Sequence, residues 1–141
     1  MLSQIGEESV IHSAVLIVDD EPLIRETVSE LLSGAGLSTF EAKNGREALE
    51  ILNKNGHAVA VLLTDIRMPG GMDGIDLARI AQRAWPWIKV ILMSGYYESG
   101  PDGLPCNARF ISKPWHPQDV INNVLHAASE FAAVQTSAAV H

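Results

Sequence analysis

Short apolar runs alternate with amphipathic helical patterns along the chain, and this alternation constrains the fold more than any other feature. Five runs have the length of a strand, and the second is the weakest; they cover residues 14–18, 37–41, 58–63, 89–93 and 108–112. Apolar character that is nearly continuous over about five residues is typical of parallel strands covered by helices on both faces. The runs therefore predict a parallel sheet with a helix after each strand.

Helix start signals precede four of the segments between and after these strands. They are Pro22, Asn44 with Glu47 in the spacing of a capping box, Asp73, and His116 with Pro117. Glycine at position 34 or 36 is expected to end the first helix. The segment 96–107 contains two prolines and two glycines, so the fourth of five predicted helices is short or irregular. The order of elements predicts a (βα)5 doubly wound α/β domain with five parallel strands. It occupies residues 13–132, between an N-terminal extension (1–12) and a C-terminal tail (133–141).

The composition excludes several classes of protein. The 141 residues carry 10 Lys and Arg against 17 Asp and Glu, a net charge of −7, with no basic cluster of the kind that nucleic-acid binding needs. The longest wholly apolar run is far shorter than the roughly 20 residues that span a bilayer, and the N-terminus lacks the basic region of a secretory signal. Cys106 is the only cysteine and cannot form an internal disulfide. We expect a cytoplasmic protein whose partners are proteins or small ligands.

Acidic, hydroxyl and ammonium groups follow the strands directly. Asp19 and Asp20 come after the first strand, Asp65 after the third, Ser94 after the fourth and Lys113 after the fifth. Because ligands of open α/β sheets bind beyond the carboxyl ends of the strands, we expect these side chains to converge on one edge.

This set suits phosphoryl transfer onto a carboxylate. Mg²⁺ prefers oxygen ligands, and Asp20 with Asp65 would supply two of them. Lys113 and Ser94 would contact phosphoryl oxygens, which leaves Asp65 as the nucleophile. Two carboxylates about 4 Å apart repel by about 4 kcal/mol at an effective dielectric near 20, so a bound cation is expected to stabilise the site.

Four segments resemble the signature segments of the receiver domain of two-component response regulators. They are residues 15–22, 63–70, 91–96 and 111–115, and the resemblance covers about residues 13–132. It implies a flavodoxin-like fold, with Asp65 as the phosphoacceptor and Asp19 and Asp20 as the acidic pair that holds Mg²⁺.

The resemblance also implies roles for residues around that site. Ser94 matches the switch hydroxyl, Lys113 the lysine that binds the phosphoryl group, and Phe110 the switch aromatic, while the backbone carbonyl of Arg67 matches a further Mg²⁺ ligand. The implied phosphoryl donor is a sensor histidine kinase or a phosphotransfer protein, and self-dephosphorylation is slow, so the protein is not a conventional enzyme. The composition of segment 96–107 argues against the usual dimer surface of the family.

Three alternatives remain for the function. Because 141 residues fit one receiver, we expect output through contact with an unidentified downstream protein; the first alternative is a phosphate sink or phosphorelay intermediate without its own output. The second is a Mg²⁺-dependent phosphohydrolase, although such enzymes usually place the nucleophile and a second acid two residues apart on the first strand, whereas Asp19 and Asp20 are adjacent and Asp65 follows the third strand. The third is a receiver that is used unphosphorylated as a binding module.

Overall fold

The computed structural model describes residues 14–94, 108–113 and 115–140, and side chains as far as residue 129. Within these residues five parallel strands form one sheet in the order β2-β1-β3-β4-β5. The strands are β1 (Ala14–Val18), β2 (Thr39–Ala42), β3 (Val59–Asp65), β4 (Lys89–Ser94) and β5 (Arg109–Ser112). The strand order reverses beside β1, which confirms the predicted doubly wound sheet and places the edge crevice beyond the ends of β1 and β3.

Four described helices connect and cover the strands: α1 (Pro22–Gly34), α2 (Gly45–Asn55), α3 (Gly74–Ala84) and α4 (Pro117–Val140), with a 3-10 turn at Gly56–Ala58. The predicted irregular helix within 96–107 lies outside the described residues. The last helix continues into the segment that the sequence assigns to the C-terminal tail. No helix in the described ranges combines the length and apolar character needed to cross a bilayer.

Helix caps follow the predicted residues, with one difference. Asp73 and Asp76 form a complete capping box at the start of α3. At the start of α2, Asn44 accepts the Glu47 N–H at 2.8 Å, but the Glu47 carboxylate accepts the N–H of Lys43, the residue before the cap, at 3.1 Å. The carboxylate of Glu47 therefore extends the predicted cap back by one residue.

Two strand boundaries, the start of β2 and the end of β3, differ from the apolar runs by two residues. Leu37 donates its N–H to Leu32 O at 3.1 Å and belongs to the end of α1, where Gly36 has a φ of 92°, so β2 begins at Thr39. β3 extends two residues past its apolar run because Thr64 and Asp65 remain paired with β4. Asp65 is thus the last residue of the central strand, and the sheet itself fixes its backbone.

Side chains alternate between two cores, one on each face of the sheet. Leu16, Leu62 and Leu92 pack with α2 and α3, whereas Ile17 and Leu63 pack with α1 and α4. All seven residues of β3 are buried. Full burial of one such aliphatic side chain stabilises a fold by about 1.5–3 kcal/mol. The two cores therefore stabilise the strands whose carboxyl ends form the edge of the sheet.

Candidate functional site

Three carboxylates meet at the carboxyl edge of the sheet. Asp19 is fully buried, Asp65 is 7% exposed and Asp20 is exposed. One oxygen atom from each of the three lies within 4.8 Å of the others. The structure therefore brings together the acidic residues that the sequence places after two separate strands.

Lys113 lies directly after β5 and contacts two of these carboxylates. Its Nζ atom is 3.4 Å from Asp65 Oδ2 and 3.6 Å from Asp19 Oδ2. Its backbone N–H donates to Ser94 O at 2.8 Å, which ties the end of β5 to the end of β4. When every group is ionised, three carboxylates and one ammonium leave an excess of two negative charges in this cluster.

The two carboxylate oxygens of Asp19 have different surroundings. Oδ1 accepts the Glu21 N–H at 2.9 Å, in the turn that leads into α1. Oδ2 is buried and has no hydrogen-bond partner among the described residues; at 3.6 Å the Lys113 ammonium is beyond hydrogen-bond distance. A buried oxygen of this kind is an acceptor that a cation would satisfy.

The pKa of Asp65 is raised above its ordinary value. Burial is the largest cause, because it disfavours the charged carboxylate, and the charges of Asp19 and Asp20 raise the pKa further. The Lys113 ammonium lowers the pKa but does not cancel these effects. The ionised form of Asp65 is therefore electrostatically unfavourable in the folded protein, and an additional positive charge at the cluster would stabilise it.

Ser94 and Phe110 lie on the neighbouring strands. Ser94 ends β4, is 3% exposed and is paired in register with Ser112. Phe110, in β5, is paired with Leu92 of β4. Its side chain is partly buried and packs against the core under α2 and α3. Arg67 follows the buried Ile66 in the loop after β3, and its side chain is exposed.

The sequence does not predict the contributions of Gly74 and Arg25. Gly74 begins α3, donates its N–H to Ile66 O at 2.7 Å, and lies so close to the end of β3 that a Cβ atom would overlap the Asp65 carbonyl. A glycine directly after the Asp73 cap is the one sequence signal of this close approach. Arg25 donates to the Asp19 carbonyl at 2.8 Å, a contact between α1 and the end of β1 that residue spacing does not reveal.

The sequence matches a family model described as the response regulator receiver domain over residues 15–125. The response regulator receiver protein CpdR of Brucella abortus (strain 2308) is 34% identical over 113 residues, which are 78% of this chain and 92% of that protein. The sensor kinase CckA of the same organism is 36% identical over 115 residues, 79% of this chain but only 12% of the kinase.

Solved structures agree with these sequence matches. A two component transcriptional regulator AraC from Clostridium phytofermentans ISDg has a TM-score of 0.75 and 34% sequence identity to this chain. The match covers 88% of this chain and 98% of that structure. The family model spans residues 15–125 and therefore includes the ends of all five strands, with the acidic cluster.

Proposed function

The chain belongs to the response regulator receiver domain family, and from this premise we propose that Asp65 accepts a phosphoryl group from a phosphohistidine of a sensor histidine kinase or phosphotransfer protein. The single observation that carries the proposal is the position of Asp65. It ends the central strand, beside Lys113 and within 4.8 Å of two further carboxylates.

In the transfer, a carboxylate oxygen of Asp65 attacks the phosphorus atom. The bond from phosphorus to the imidazole nitrogen of the donor breaks, its electron pair returns to that nitrogen, and an acyl phosphate forms on Asp65. The Lys113 ammonium, 3.4 Å from Asp65 Oδ2, is placed to pair with an oxygen of the transferred group. Ser94 supplies a hydroxyl at the end of the neighbouring strand for a second oxygen.

The donor set fits a magnesium ion. Asp19, Asp20 and Asp65 would hold it together with the Arg67 backbone carbonyl, and the buried Oδ2 of Asp19 would gain the partner that it lacks among the described residues. The exposure of Asp20 leaves room for the water ligands that Mg²⁺ usually retains. When bound, the ion would neutralise charge on the incoming phosphoryl group.

A downstream protein binds the phosphorylated form through the face that includes β4, β5 and α4. Ser94 moves toward the phosphoryl group, and Phe110, already partly buried against the core, turns further inward. Both residues lie on strands next to each other, so a shift at Ser94 changes the surface beside Phe110.

Incubation with acetyl phosphate and Mg²⁺, followed by intact-mass analysis, tests this proposal. We expect one phosphoryl addition to the wild type and none to Asp65→Asn. Asp119→Asn is the matched control, because it removes the same charge at an exposed position in the first turn of α4 and is expected to be modified like the wild type. Failure of the wild type to be modified by acetyl phosphate or by a phosphorylated donor protein would contradict the proposal.

A further inference from the structure

Arg25 joins three elements behind the acidic cluster. It lies in the first turns of α1, and its side chain is only 17% exposed. Nη1 donates to the backbone carbonyl of Asp19 at 2.8 Å, and Nε is 3.3 Å from Glu41 Oε1 in β2. One guanidinium thus holds the end of β1 and is itself oriented by the edge strand.

These contacts complete the fixation of the Asp19 peptide. The Asp19 N–H donates to Ala42 O at 3.1 Å, so β2 fixes one side of the residue and Arg25 fixes the other. Oδ1 of the side chain is engaged by the Glu21 N–H. Among the described contacts, Oδ2 alone is left to face Lys113 and the other carboxylates.

We propose that Arg25 is a positioning residue for the cation and phosphoryl site, acting through the Asp19 carbonyl to hold Asp19 Oδ2 and the adjoining Asp20 in ligating positions. This inference rests on the proposed function, because it concerns the same Mg²⁺ site. Arg25 does not serve as a ligand, since its guanidinium has no acceptor group.

Charge alone predicts the opposite effect of Arg25. A cation close to three carboxylates repels Mg²⁺, so its removal would strengthen Mg²⁺ binding if only long-range electrostatics mattered. Loss of a hydrogen bond that orients a ligand instead weakens metal binding, typically 10-fold to 100-fold. The direction of the change in affinity therefore separates the two effects.

A loss of affinity is also separable from a loss of stability. A second tie between α1 and β2, the hydrogen bond of 2.8 Å between the Ser29 and Thr39 hydroxyls, remains when Arg25 is replaced. A merely structural Arg25 would lower the melting temperature and leave Mg²⁺ affinity unchanged in the folded protein.

The test is calorimetric titration of Mg²⁺ into the full chain at a temperature where circular dichroism shows each variant folded. We expect Arg25→Met to bind Mg²⁺ about 10-fold more weakly than the wild type. Arg25→Lys should lie between the two, because an ammonium lacks the fork that reaches Asp19 and Glu41 together. Arg46→Met removes an exposed cation in the first turn of α2 and should bind Mg²⁺ as tightly as the wild type or slightly more tightly.

If Arg25→Met binds Mg²⁺ as tightly as the wild type or more tightly, the inference is overturned. If Arg25→Met does not fold, a wild-type Mg²⁺ affinity in Arg25→Lys would overturn it. In both cases the proposed function would stand, because the wild type still takes up Mg²⁺. A wild type that binds no Mg²⁺ would instead overturn the proposed metal site and this inference together.

Discussion

Replacing Asp65 by Asn is expected to stabilise the metal-free protein. The substitution keeps the size of the side chain and removes the buried charge whose pKa the site raises. It therefore removes the cost of burying a carboxylate and the repulsion from Asp19 and Asp20, together with the attraction to Lys113. The sign of the result depends on which of these effects is larger.

The distances in the cluster set the magnitude. Like charges up to 4.8 Å apart repel by at least about 3.5 kcal/mol at an effective dielectric near 20, and the Lys113 contact at 3.4 Å attracts by about 5 kcal/mol. Asp20 is exposed, so water screens its share of the repulsion strongly. Burial of an ion costs several kcal/mol, so we expect Asp65→Asn to gain about 1–2 kcal/mol, or a rise in melting temperature of about 3–8 °C.

The gain must depend on pH in a defined direction. A carboxyl group whose pKa is raised on folding favours the folded state below its ordinary pKa of 3.8, and this contribution is lost as the pH rises through the raised value. The stability difference between Asp65→Asn and the wild type should therefore be small below pH 3.8 and largest near neutrality.

Urea and thermal unfolding in the presence of a chelator, from acidic to neutral pH, measure this difference. Adding Mg²⁺ at ten times its Kd should stabilise the wild type by about 1.4 kcal/mol and so reduce its difference in stability from Asp65→Asn. Asp119→Asn serves as the control and should lower stability by no more than about 1 kcal/mol, because a negative charge in the first turn of a helix is stabilising. Equal or lower stability of Asp65→Asn at neutral pH without metal would refute the reasoning.

Two further substitutions test other parts of the site. Lys113→Met leaves the carboxylates without their ammonium and is expected to lower metal-free stability by about 2–3 kcal/mol. Urea unfolding should show that Mg²⁺ restores part of this stability, whereas no loss of stability would contradict the ion pairs. Gly74→Ala should destabilise the fold by about 2 kcal/mol or more through overlap with the Asp65 carbonyl, whereas Gly34→Ala, with no atom within 4 Å, should be neutral or stabilising by up to about 1 kcal/mol. Equal melting temperatures for the two alanine variants would contradict the close approach at α3.

The sequence predicts the parts of the fold that depend on local patterns. β1 has the predicted bounds, α1 begins at Pro22, and Asp73 caps α3, because apolar runs, proline and capping side chains act within a few residues. The convergence of Asp19, Asp65 and Lys113 is predictable as well, since topology alone brings the carboxyl ends of parallel strands together.

Other features depend on contacts between distant segments. Leu37 is apolar and begins the second predicted strand. In the structure its N–H instead donates to Leu32 O at the end of α1. The contacts of Arg25 with Asp19 and Glu41 join α1, β1 and β2 and have no signature in the spacing of these residues. The partial cancellation of charge by Lys113 at Asp65 also needs distances, which only the folded chain supplies.

Location of the phosphoryl group tests the central claim most directly. After reaction with acetyl phosphate and Mg²⁺, borohydride reduces an acyl phosphate on aspartate to homoserine, and peptide mass analysis identifies the converted residue. We predict conversion at Asp65 alone. Conversion at Asp19 or Asp20, or an unreduced phosphoester on Ser94, would contradict the assignment of Asp65 as the phosphoacceptor.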